Sequence, residues 1–163
     1  GVIIGLLLNA VPERGAGDVG AFFAIFVAIE IAVTLSVGAL RRSFRRLHII
    51  AAGVFIYATG MALLPVLADG PGLWLLCLPY GMGGAMIYAL AIGYLQDLLG
   101  SRAGAGASLL ALQQIAAQGL GALVFAVGAA LGGYGLAAVI GAVVMAVAMV
   151  AILWLDRNAP LEP

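Results

Sequence analysis

Glu30 is the residue whose type and position point most directly to chemistry. It lies in the middle of an apolar run, between Ile29 and Ile31, and no other acidic or basic side chain sits inside any of the long apolar runs of this 163-residue chain. An ionised group near the centre of a bilayer costs about 2.5 to 3.5 kcal/mol on insertion scales. Such a carboxylate must face protein or water. There it can exchange a proton, touch a solute, or stay protonated and hydrogen-bond a neighbouring helix. Thr34 follows one helical turn later and shares its face, as does the small Gly38.

A second set of polar groups sits in a later run, where Gln114 and Gln118 are four apart and line one face with Ala107, Ala111 and Gly121. Gln113 points about 100° away. Three amides in one span can bind hydroxyl-rich or amide-bearing solutes, or they can hold helices together for about 0.6 kcal/mol each. A third set, Tyr80, Gly84 and Tyr88, places two phenols and a glycine on one face. Aromatic residues in membrane spans also serve as packing or interfacial anchors. Pro79 with Gly81, Gly83 and Gly84 predicts a kink or a thin point in that helix, suited to movement or to close static packing.

The elements that must position these groups are membrane helices. Hydrophobic residues make up 65% of the chain and charged residues 9%, with a mean hydropathy of +1.22, values outside the range of water-soluble domains. A span needs about 20 residues to cross an apolar layer about 30 Å thick. Five complete spans are predicted, over residues 20–40, 47–68, 73–95, 104–131 and 136–155, and residues 1–8 read as the tail of an earlier one. The chain begins with Gly1 and its first run is too short to cross, so the sequence is expected to be a piece of a longer protein. Asp69-Gly70-Pro71-Gly72 and Gly132-Gly133-Tyr134-Gly135 are turn compositions that let successive helices run antiparallel. The fold class expected is an all-α integral membrane bundle of about six helices, the first truncated. The last span has no polar residue and carries Ala138, Ala142 and Ala146 at four-residue spacing, which reads as a packing stripe on an outer, lipid-facing helix.

Charge sets the orientation. Seven arginines, no lysine and seven acidic residues give a formal net charge of zero, leaving no basic surface for nucleic acid. Arg41, Arg42, Arg45, Arg46, Arg102 and Arg157 fall in loops on one side, and only Arg14 on the other. Positively charged short loops stay on the cytoplasmic side, which places the RRSFRR loop and the C-terminus there. That loop also meets anionic lipid headgroups. Cys77, the single cysteine, lies in an apolar run and reads as a small buried hydrophobe. One histidine at a membrane edge, one cysteine and no paired acids inside a span leave no nucleophile and base for an intramembrane enzyme, and no metal set. No cofactor is expected.

The sequence resembles the C-terminal six-helix half of major facilitator superfamily transporters, and within them the sugar efflux group. The resemblance rests on YLQDLLGSRAG from Tyr94 to Gly104, on AIEI from Ala28 to Ile31, and on the RRSFRR loop. Gly100-Ser101 and the Gln113-Gln114 pair depart from that group's pattern, which bears on the substrate. The resemblance implies a twelve-helix porter of a bacterial inner membrane. Its substrate site would lie between this half and a missing N-terminal half, with proton-coupled efflux of sugars or similar solutes by alternating access. It also implies gating contacts from Asp97 and Arg102 and from the arginine loop. Drug or small-metabolite efflux in the same superfamily is the chief alternative, and a non-transporting membrane subunit or sensor a further one.

Overall fold

The computed structural model describes residues 16–40, 44–99 and 103–157. Among them the backbone is helix and turn, with no strand. The expected partial span over residues 1–8 lies outside the described residues, as do Arg14, Arg41, Arg42 and Arg102. The Asp97 side chain is likewise outside what is described.

Among the described residues, four apolar helices are long enough to cross a membrane. Helix α1 is Ala16–Leu40, α2 is Arg46–Leu67, and α3 is Cys77–Leu99, preceded by a 3₁₀ turn at Pro71–Leu76. Helix α4 is Ala103–Asp156. Lipid offers nothing to a free N–H or C=O, so runs this apolar satisfy their backbones internally as helices. Within them Ser36 and Thr59 donate their hydroxyls to the carbonyls four residues back, at 3.0 and 2.8 Å.

Helix α4 has 54 residues, and as a straight rod it would measure about 81 Å, far more than a bilayer is thick. It is interrupted at Gly132 (φ −164°, ψ 26°) and Gly133 (φ 76°, ψ −173°). A Cβ at Gly128 would run into the backbone of Ala137, nine residues on, which a straight helix would hold about 13.5 Å away. The chain therefore doubles back, and residues 103–131 and 134–156 are two antiparallel limbs. The fourth and fifth expected spans correspond to these limbs.

Helix α3 packs against both α1 and α2, and α2 packs in turn against α4. Helices α1 and α3 run parallel. Cys77 donates its thiol to the Phe22 carbonyl at 3.8 Å, Gly81 meets Phe26 and Ile29, Gly84 meets Glu30, and Val37 and Leu90 share a cluster. Helix α2 runs antiparallel to α3, with Gly60 against Pro79 and Gly53 against Met86. The main core joins Phe22, Met61, Leu64, Leu76 and Tyr80 to Ala137 and Ala138. Cys77 is buried and free, as its apolar setting predicts. The outside is apolar: Leu35, Val66, Ile115, Leu131 and Val147 are all exposed, a surface that suits lipid and not water.

The kink-or-thin-point alternative in α3 resolves to one of its two readings, and the placement of the last span changes in part. Pro79 sits in the first turn of α3, where its missing N–H is one the helix leaves unpaired in any case, and α3 continues without interruption to Leu99. The glycines after it mark a thin point and not a kink. The final span, expected as an outer helix with a packing stripe, does bury that stripe at Ala138 and Ala142, beside Ala137, in the core, while Val143, Val147 and Val150 of the same limb stay exposed. Residues 111–120 of the first limb are exposed on every side.

Candidate functional site

The glycines of α3 bring three helix backbones together. A Cβ at Gly81 would stand 2.6 Å from Ile29 Cγ2 and 2.9 Å from the Phe26 carbonyl oxygen of α1. One at Gly83 would stand 2.6 Å from the Gly53 carbonyl oxygen and 2.9 Å from the Tyr57 amide nitrogen of α2. Neither site has room for a side chain, so α3 is clasped from both sides at backbone contact.

Gly84 lies beside these contacts and faces Glu30. The place a Cβ would occupy is 3.4 Å from Glu30 Oε1, 3.6 Å from its Cδ and 3.8 Å from Phe26 Cε2. The Glu30 carboxylate thus rests against the bare backbone of α3, half-buried, beside the Phe26 ring. On α1 the packed positions are Phe22, Phe26, Ile29, Val33 and Val37. Glu30 lies at the border of that stripe.

Next to the carboxylate is a group of aromatic rings from all three helices. Tyr80 packs edge-to-face on Phe22, ring centroids 6.0 Å apart, and on Tyr57 at 5.1 Å. Phe23 stacks edge-on with both Phe22 and Phe26. Tyr57 is close enough to Tyr80, Tyr88 and Glu30 to interact with them electrostatically. Tyr80 is wholly buried, and its hydroxyl has no hydrogen-bond partner among the described residues. An unpaired buried hydroxyl of this kind costs about 1–3 kcal/mol.

Of the candidates named from sequence, Glu30 rests on Gly84 of α3, Tyr80 is buried one turn earlier on α3 against Phe22 and Tyr57, and Tyr88 is 48% exposed. Thr34 is exposed, and nothing lies within 4 Å of the Cβ position of Gly38. A step of four residues turns a helix by 400°, so each four-residue step drifts about 40° round the axis. Thr34 and Gly38 rotate out of the interface that Glu30 borders, and Tyr88 rotates out of the one that Tyr80 fills. Gln113, Gln114 and Gln118 are exposed on the first limb of α4 and do not join the Glu30 group. Arg45 and Arg46 stand at the start of α2, and Arg157 just past the end of α4.

Tyr57 and Phe26 are not among the candidates named from sequence. The signal for Tyr57 is its place between Gly53 and Gly60, four and three residues away, which marks one tightly packed face.

The arrangement offers one carboxylate able to exchange a proton on its open side, and phenol hydroxyls able to donate and accept hydrogen bonds, inside aromatic walls. Among the described residues no three His, Cys, Asp or Glu side chains come together. No protein-family profile, curated protein or solved structure matches the chain.

Proposed function

We propose that the chain is half of a secondary active transporter, in which Glu30 couples proton movement to the efflux of a small solute by alternating access. The observation that carries the reading is the placement of this carboxylate. The single acid within the apolar runs rests on Gly84 at the junction of α1 and α3, half-buried and beside aromatic rings, where a charge is costly unless it is used. The sequence resemblance supports the same reading, with this bundle as the C-terminal half of a major facilitator-type porter and a second bundle of the same protein as the opposite wall. The membrane is then a bacterial inner membrane, with the arginine-bearing ends of the helices in the cytoplasm.

Sugars and similar polar solutes are the first substrate class. The Phe26 ring beside Glu30 favours a second one, amphipathic drug-like molecules, in the same mechanism. The experiment is a comparison of efflux rate against external pH for the full-length wild type and Glu30→Gln at matched protein levels. The amide keeps the size and the hydrogen bonds but cannot ionise, so the variant should fold normally and lose proton-driven efflux. An unchanged pH profile would return Glu30 to a structural role.

A further inference from the structure

Helix α2 and the second limb of α4 run antiparallel in contact, with the Cβ position of Gly135 3.3 Å from Pro65 Cβ. An equal number of residues from that contact reaches Arg46 on α2 and Trp154 on α4, about 28 Å along each axis, so the two stand at one level of the bundle. Trp154, Leu155 and Phe44 are all exposed there. The Arg157 amide donates to the Leu153 carbonyl at 3.2 Å, so the helical turn continues to Arg157 and sets it on the face of Trp154, three residues further out. Arg45 and Arg157 are exposed, and Arg46 is half-buried. With Asp156 counted against them, the three arginines leave this corner with net positive charge. The sequence assigns lipid contact to the RRSFRR loop alone. The packing of α2 on α4 brings the far end of the chain to the same corner, a tryptophan at the edge of the apolar layer with a guanidinium beyond it. That order matches a phospholipid, whose glycerol and acyl region suits the ring and whose phosphate suits the cation.

We propose that Arg45 and Arg46 at the start of α2, with Trp154 and Arg157 at the end of α4, form a binding site for a phospholipid that carries two phosphates in one headgroup. The axes of packed helices lie about 8–10 Å apart, so the arginines fall into two groups. Each guanidinium can hold a phosphate through paired N–H donors. Arg157 takes one phosphate, Arg45 and Arg46 the other, and Trp154 packs against the glycerol between them and the acyl chains. A lipid with one phosphate answers only one group, and free phosphate makes no use of Trp154. Only a membrane around these helices is required, not transport.

The test is a lipid titration of the full-length protein in detergent, read by native mass spectrometry, with diphosphatidylglycerol, phosphatidylglycerol and phosphatidylcholine as probes and sodium phosphate as competitor. Diphosphatidylglycerol should bind about 5-fold more tightly than phosphatidylglycerol at equal phosphate content, phosphatidylcholine more weakly than either, and sodium phosphate should not displace it. Arg157→Gln should weaken diphosphatidylglycerol binding about 5-fold, the worth of one arginine at an anionic surface. Trp154→Leu should weaken it about 3-fold with no change of charge. Both side chains are exposed, so the melting temperatures of the lipid-free variants should match wild type. Arg14→Gln, the same loss of charge elsewhere in the chain, should leave binding unchanged. Equal affinity for phosphatidylglycerol, or equal weakening by Arg14→Gln, would show diffuse surface attraction and overturn the proposal. Displacement by sodium phosphate would make this a site for soluble anions and overturn it as well. So would unchanged binding in either Arg157→Gln or Trp154→Leu.

Discussion

A methyl group at Gly83 would stand 2.6 Å from the Gly53 carbonyl oxygen, and one at Gly38 would meet nothing within 4 Å, so the same change has opposite consequences at two glycines of one bundle. Gly83→Ala must push α2 and α3 apart and should destabilise the protein by about 1–3 kcal/mol. Gly38→Ala should be neutral or should stabilise by up to about 1 kcal/mol through helix propensity. Thermal unfolding in detergent checks both, and equal melting temperatures for the two variants would sink the packing account. At this scale the sequence is informative about Glu30, because one acid in an apolar run is conspicuous, and about the glycines of α3, because they cluster. It is less informative about which neighbours share a site. Four-residue spacing groups Thr34 with Glu30 and Tyr88 with Tyr80, and the 40° drift per step separates them in the folded chain. It is silent about the Gln113, Gln114 and Gln118 amides, since nothing in their own run tells whether a helix covers them.

The break in α4 belongs to the scale of elements. Gly133, at φ 76° and ψ −173°, occupies a region of backbone space used almost only by glycine. Gly133→Ala should cost about 1–3 kcal/mol, read as a lowered melting temperature, whereas a stable variant would mean the two limbs can reverse without that conformation. Beside the break, the Tyr134 hydroxyl donates to Asp69 Oδ1 at 3.3 Å and ties the α4 turn to the turn between α2 and α3. Burial, then the Asp69 charge and this hydrogen bond, push the Tyr134 phenol above its ordinary range. A raised folded-state value means that the contribution is present at neutral and mildly alkaline pH and is lost only as pH climbs through that value. Tyr134→Phe should therefore cost no more than about 1 kcal/mol at pH 7, since its Asp69 partner is solvent-exposed. Both turns were legible from Gly, Pro and Asp. The packing stripe of the second limb was legible too, from the four-residue spacing of Ala138 and Ala142, but how much of the first limb stays uncovered was not, because periodicity has little contrast to report in so apolar a run.

Across the whole molecule the alternation of α1, α2, α3 and the two limbs of α4 puts Phe44, Arg45, Arg46 and Arg157 at one end and Asp69 and Tyr134 at the other. Labelling single cysteines with a membrane-impermeant reagent should modify Phe44→Cys and Arg157→Cys from the cytoplasmic face and Gly70→Cys from the opposite face, with the buried Cys77 silent. Phe44→Cys and Arg157→Cys labelled from opposite faces would overturn the topology. The function proposed for this arrangement comes down to whether the Glu30 carboxylate moves protons with solute. The most direct measurement is solute-driven proton flux in liposomes holding the full-length protein and a pH-sensitive dye, with the solute gradient as the only driving force. Wild type should shift the internal pH as the solute moves, and Glu30→Gln should move solute down its gradient with no accompanying pH change. A Glu30→Gln variant that moves protons with solute as wild type does would contradict the account.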